Sequence, residues 1–196
     1  MPKIDLGLSP YRQHVENWKN CQRCTLHHGR DRVVLARGKV PADIIFIGEG
    51  PGQSEDTLGV PFVGPAGRLL DSIVGMALEA IQDERQADGK DQLRWCFTNV
   101  VACMPTDEDG NKSGAPEAQE IKSCRPRLEE FIGIVRPRML VAVGDVAHKN
   151  LSGVIGSRLY CHIVHPSHIL SRLPYVQRDF AARRAAVVIN NEAAKL

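Results

Sequence analysis

Long apolar runs are what this 196-residue chain lacks most plainly: none approaches the roughly 20 residues a membrane-spanning helix needs. Its opening residues, MPKIDLGLSPYRQ, also lack the apolar core of a secretory signal, so an intracellular, cytoplasmic protein with no membrane partner is expected. Charge of one sign is scarce as well. Lys and Arg number 25 against 23 Asp and Glu, a formal net charge of +2, which permits a nucleic-acid partner without demanding one. A basic face has to come from clustering. Arg125, Arg127, Arg136 and Arg138 form one candidate group, and Arg172, Arg178, Arg183 and Arg184 another. Internal repeats and a domain linker are missing too, and this length suits one sizeable core, so residues 1–196 read as a single domain.

What is present is concentrated between Ile44 and Asp71. Ile44 to Ile47 are four successive apolar residues, the pattern of a strand buried on both faces. Gly48-Glu49-Gly50-Pro51-Gly52 ends that strand, a polar loop follows, and a helix starts near Pro65. In open α/β sheets ligands sit where strand carboxyl ends meet the loops that follow. Glu49, Glu55 and Phe62 therefore fall on such a rim, among glycines that allow close backbone approach. Gly64, Ala66 and Gly67 open the helix, where free N–H groups suit a phosphate.

The rest of the chain alternates. Ser9-Pro10 reads as a cap and first residue of a helix to about Lys19, and Val33 to Ala36 is strand-like. The Pro65 helix carries Leu69, Leu70, Ile73, Val74, Ala77 and Leu78 at helical spacing, and the polar stretch from Gln82 to Gln92 reads as a surface connection. Trp95 to Val101 is a second strand, 105–115 a polar loop, and Pro116 starts a helix that Pro126 is expected to break. Strands at Met139 to Val143 and Leu159 to Val164 and a closing helix from about Tyr175 complete the pattern. This is an α/β chain: a three-layer α/β/α sandwich around a central, mostly parallel, four-stranded sheet.

Six cysteines in a chain of intracellular type are metal ligands or core residues more often than disulfides. Cys21 and Cys24 form a CxxC, with Cys103 and Cys124 far along the chain. Four thiolates suit a structural zinc or a [4Fe–4S] cluster equally, and spacing does not separate the two. Cys96 and Cys161 lie within strands and read as core.

The 24 residues GEGPGQSEDTLGVPFVGPAGRLLD, Gly48 to Asp71, closely resemble the first motif of family 4 uracil-DNA glycosylases, the iron–sulfur branch of that superfamily. The likeness continues at Thr98-Asn99-Val100-Val101-Ala102-Cys103 and at His165-Pro166-Ser167, so it covers nearly the whole chain. It implies a uracil-DNA glycosylase-like fold, a monomer, and a partner in single- or double-stranded DNA carrying a target base. It implies an enzyme that flips that base out and hydrolyses its N-glycosidic bond. Under the resemblance Glu49 positions water and favours the cationic sugar, and His165 donates to the base oxygen that becomes negative. Phe62 stacks on the base, Asn99 reads its edge, and Gly50 and Glu55 shape the pocket. Gly64, Ala66, Gly67 and Ser167 face flanking phosphates, while Ile169, Leu170 and Arg172 supply a wedge and a clamp. Cys21, Cys24, Cys103 and Cys124 hold a [4Fe–4S] cluster. Individually Phe62, Asn99 and His165 also suit ordinary packing or turn positions; their joint fall at strand ends singles them out. His27, His28, His148 and His162 are read as structural.

The chain also departs from the family pattern. His168 stands where an aromatic is usual, Ser171 intervenes before Arg172, and Met104 takes a place that is often basic. The Cys103–Cys124 gap is long and the 145–164 connection short. Uracil is the leading expectation for the excised base; the trimmed wall together with the longer Pro105–Ala115 loop gives the runner-up, a glycosylase for a bulkier modified base, as in phage–host conflict. A non-catalytic DNA-binding or sensing module on the same scaffold is the alternative of another class.

Overall fold

Residue alternation in the buried strands decides what covers each face of the sheet. The computed structural model describes residues 9–106 and 114–196. Its elements are α1 (Pro10–Trp18), β1 (Arg37–Gly38), β2 (Ile44–Gly48), α2 (Gln53–Leu58), α3 (Pro65–Ala87) and β3 (Trp95–Asn99). They continue with α4 (Ala118–Val135), β4 (Met139–Val143), α5 (Asp145–Leu151), β5 (Leu159–Ile163), α6 (Pro166–Arg172) and α7 (Tyr175–Ala193). Among the described residues the strands form one sheet in the order β1-β3-β2-β4-β5. The four expected strands pair in parallel, and the short β1 adds an antiparallel edge on β3.

Successive side chains of a strand point to opposite faces. Ile44 and Phe46 of β2 meet Leu70, Ile73 and Leu78 of α3 and Ile189 of α7. Ile45 and Ile47 meet Leu128, Phe131 and Ile132 of α4 and Leu151 of α5. Both faces being covered, all four positions are apolar and none is exposed. Each such Leu, Ile or Phe contributes about 1.5–3 kcal/mol by leaving water. Among the described residues no helix is long and apolar enough to cross a membrane.

Several boundaries differ from the sequence reading, each for a local reason. The run Val33 to Ala36 is not a strand, although Val34 N–H donates to Ala102 O at 2.7 Å, and pairing begins only at Arg37. The polar loop after Gly52 contains α2, which Glu55 starts by accepting from Gly52 N–H and Gly59 stops at φ 73°. Helix α3 runs on through polar residues to Ala87, because beyond Ile81 it lies on the surface and needs no apolar stripe. Pro126 does not break α4; Leu128, Phe131, Ile132 and Val135 are buried, and their packing holds the helix through the missing N–H. His165-Pro166 opens the short α6 with the ring as its cap. Most of the 105–115 loop, residues 107–113, lies outside the described residues.

Candidate active site

The parallel strands end side by side, and their register sets the site. Gly48 pairs with Asn99, so Glu49 leaves β2 next to the last residue of β3. Gly144 and Asp145 follow β4, and His165 follows β5 two residues after Ile163. A cleft of about 490 Å³ opens over these ends, lined by Glu49, Phe62, Asn99 and His165 and by Ala66 and Gly67 of α3. That volume is in the usual range for small-molecule pockets. Gly50, Glu55 and Ser167 also line it, as do Asp145 and His168, which the sequence reading had not placed there.

Two glycines make room for the aromatic wall. A Cβ on Gly48 would sit 2.5 Å from both Asn99 Oδ1 and Phe62 Cζ. A Cβ on Gly67 would sit 1.9 Å from the carbonyl oxygen of Phe62. Phe62 itself holds φ 57°, a conformation an aromatic residue adopts only when its surroundings impose it. Its ring rests against Phe97 at 5.9 Å between centroids, and Phe97 stacks on Phe46 at 5.1 Å. Phe62 is thus a fixed, backed wall.

Glu55 shapes this corner from behind. Its Oε1 accepts from Val63 N–H at 2.9 Å and Gly64 N–H at 2.8 Å, and its Oε2 from Gly52 N–H at 3.2 Å. One carboxylate therefore ties the loop before α2 to the loop before α3. Gly64 N–H, expected to face a phosphate, is already engaged by Glu55. Pro65 has no N–H and α3 has no side-chain cap, so among the described residues Ala66 and Gly67 carry the unpartnered donors of the helix end. A buried carboxylate that sequence reading missed, Asp56, accepts from Asp31 and Arg32 N–H and pins the N-terminal segment to α2.

His165 is positioned by its own helix. Ser167 N–H donates to His165 Nδ1 at 3.2 Å, and Ser167 Oγ lies 2.7 Å from the same nitrogen. An accepting Nδ1 places the ring proton on Nε2 in the neutral form. Burial, reinforced by the charge of His168, pushes the imidazole down to about 4, so it is neutral at pH 7. Burial raises the Glu49 carboxyl above its ordinary value, with His168 opposing. Asn99 is 2% exposed, and its backbone carbonyl accepts from the Arg127 guanidinium, which also donates to Thr98 Oγ1 and Val100 O. Farther along α6 the expected wedge is only partly possible: Ile169 is fully buried in the core, whereas Leu170 is half-buried and Arg172 exposed.

Comparison with known proteins shows the family. Residues 35–186 match the family model described as the Uracil DNA glycosylase superfamily. The chain belongs to that superfamily. It is 36% identical over 140 residues to the type-4 uracil-DNA glycosylase of Pyrobaculum aerophilum, covering 71% of this chain and 63% of that one. It is 34% identical over 137 residues to that of Sulfurisphaera tokodaii (70% and 56% covered) and 36% over 132 residues to that of Thermotoga maritima (67% and 60%). The chain thus spans about three fifths of the length of these relatives.

A second constellation in this superfamily member lies away from the cleft. Cys21, Cys24, Cys103 and Cys124 all line one apolar-walled cavity, and none is in a disulfide. Among the described residues no group of three or more His, Cys, Asp or Glu is arranged as a single-ion site. Two arginines line the same cavity. Arg30 Nη1 donates to Cys103 Sγ at 3.3 Å, and Arg127, 1% exposed, lines the cavity with its buried Nε lacking a partner among the described residues. Burial pushes the Cys103 thiol up to about 11 despite Arg30. Cys96 and Cys161 are core residues as expected, each pushed to about 12 by burial.

Proposed function

We propose that the protein excises uracil from DNA by hydrolysing the N-glycosidic bond, leaving an abasic site. The observation that carries this reading is the convergence of Glu49, Phe62, Asn99 and His165 on one cleft at the carboxyl ends of β2, β3 and β5. A flipped base would stack on Phe62, whose ring is already fixed by Phe97. The Asn99 amide offers a donor and an acceptor, matching the acceptor and donor on the uracil edge. As water adds to C1′ and the C1′–N1 bond breaks, the electron pair leaves with the base. The neutral His165 donates Nε2–H to the base oxygen where that charge collects. Glu49 orients the water, stabilises the cationic sugar and takes the released proton. Ala66 and Gly67 N–H hold a flanking phosphate.

The four cysteines suit a [4Fe–4S] cluster, which would supply a covalent link among three parts of the chain rather than a step in hydrolysis. Cys21 and Cys24 follow α1, Cys103 follows β3, and Cys124 is in α4. The donor set is all thiol, and the guanidiniums of Arg30 and Arg127 oppose the negative charge of a thiolate-ligated cluster.

The test is incubation with matched oligonucleotides carrying uracil, hypoxanthine, 5-hydroxymethyl or glucosylated pyrimidines, followed by alkaline cleavage of abasic sites. Strand scission at uracil is the expected result. Scission only at a bulky base would replace uracil as the substrate, and no scission anywhere would make the chain a binding module.

A further inference from the structure

Among the described residues Arg127 is the only lysine or arginine that the fold buries, at 1% exposure. Taking a guanidinium out of water is costly unless its donors are used and its charge is balanced. The donors are largely used. Nη1 donates to Thr98 Oγ1 at 2.9 Å, and Nη2 donates to Asn99 O at 2.5 Å and Val100 O at 2.9 Å. All three acceptors are neutral, so they leave the charge itself unbalanced. No carboxylate pairs with Arg127 among the described residues, and its Nε has no partner there. Glu130, one turn along α4, is engaged by His14 and Trp18 instead. What lies beside the guanidinium is the cavity of Cys21, Cys24, Cys103 and Cys124. Thiolates that ligate a cluster carry the missing negative charge, whereas four free thiols do not.

The backbone that Arg127 grips is the backbone that builds the cleft. Asn99 ends β3 and lines the cleft, while its carbonyl is held from α4. The next two amides hold the neighbouring strand end. Val100 N–H donates to Gly48 O at 2.8 Å, and Val101 N–H donates to Glu49 O at 3.1 Å. One guanidinium thus anchors the segment that presents Asn99 and fixes the backbone of Glu49. Arg127 itself is not among the residues lining the cleft, so its influence there passes through this backbone.

We propose that Arg127 is a positioning residue: balanced by the ligated thiolates of the cysteine cavity, it sets Asn99 and Glu49 through the backbone of 98–101. The inference rests on the excision and cluster readings above, and two of its three readouts need no turnover. The test compares the full chain with Arg127→Met, which keeps the bulk without charge or donors, and Arg127→Lys, which keeps the charge without the fork. Amide hydrogen exchange at Val100 and Val101 is expected to quicken in both variants while the β4 amides stay protected. The cluster's reduction potential is expected to become more negative in Arg127→Met and to stay near wild type in Arg127→Lys, because a neighbouring cation favours the reduced state. On a uracil oligonucleotide kcat/KM is expected to fall about 10- to 100-fold in both, the range for a lost supporting contact. Unchanged exchange at Val100 and Val101 would overturn the positioning, and so would full rescue of kcat/KM by lysine. Exchange that quickens equally in β4 would make Arg127 a general stability residue and overturn the inference. A wild-type potential in Arg127→Met would overturn the charge balance. If Arg127→Met does not fold, Arg127→Lys alone decides exchange and turnover. Should the wild type excise no uracil, exchange and potential still decide the role of Arg127.

Discussion

The cleft and the cysteine cavity are both built where loops leave β3, yet they differ in every physical respect. The cleft is wide, open and lined by polar groups whose hydrogen-bonding capacity is directed inward, with His165 held in one tautomer by Ser167. The cavity is walled by apolar residues such as Trp18, Leu26 and Val101; Arg30 donates to the Cys103 thiol, and Arg127 also lines the cavity. Arg127 joins them: it lines the cavity while its guanidinium grips the carbonyls of Asn99 and Val100. On the proposed reading one region acts on a ligand and the other holds the frame, and one buried residue, Arg127, touches both.

The sharpest break of this contrast is to remove function from the cleft alone. Glu49→Gln and His165→Ala are each expected to slow excision by about 10²–10⁴-fold, the range for losing a positioned acid–base group or charge-stabilising donor. Thermal unfolding should move little in Glu49→Gln, because Glu49 is half-buried and faces the cleft, whereas His165→Ala also removes the cap of α6 and should lower the melting temperature modestly. Single-turnover kinetics on a uracil oligonucleotide beside a melting curve separates the two. A variant with intact turnover would remove that residue from the site.

Cys103→Ala should do the reverse. Removing one of four thiols is expected to bleach the visible absorbance of the anaerobically purified protein and to lower its melting temperature by several degrees or more. A colourless wild-type protein that contains zinc would overturn the cluster. Gly67→Ala tests a third case, where frame and site share one atom contact. A Cβ 1.9 Å from the Phe62 carbonyl must push the loop away, at a cost of about 1–3 kcal/mol for an overpacked position. Chemical denaturation reads that loss, and excision should fall with it because Phe62 moves.

What could be read from the residues, and what could not, follows the same division. Ile44 to Ile47 announce a doubly covered strand because burial on both faces demands apolar residues at every position, and the Gly–Pro spacing after it marks the strand end where the cleft forms. Helix α2 is invisible in Gln53–Leu58, since its start depends on one Glu55 contact and its polar face needs no pattern. Pro126 misleads because local preference yields to the buried Leu128, Phe131 and Ile132. Ile169 and Leu170 look alike in sequence, yet only packing decides which is in the core. Asp56 and Asp145 are ordinary acids until tertiary structure places one beneath the loops and the other at the cleft mouth.

The smallest expected effect concerns His168, which stands 6.3 Å from His165 ring to ring and is exposed at the cleft edge. In the proposed reaction excision needs Glu49 ionised and His165 neutral. His165 is held down to about 4, while burial raises the Glu49 carboxyl above its ordinary value. The acid limb of the pH–rate profile is therefore expected to belong to Glu49 and to lie above the ordinary carboxylate range, with a plateau through neutrality. Stability shows His165 instead: its folded value lies below the 6.5 of the free ring, so the unfolded chain binds more protons between about 4 and 6.5. Stability from this group is complete above 6.5 and declines as pH falls toward 4. Positive charge on His168 favours the Glu49 carboxylate and disfavours protonated His165. In His168→Phe the acid limb should move to higher pH, and the acid loss of stability should become shallower. High salt should reduce the wild-type–variant difference, because an exposed charge is screened. An acid limb unmoved by His168→Phe at low salt would mean that another group sets the protonation of Glu49.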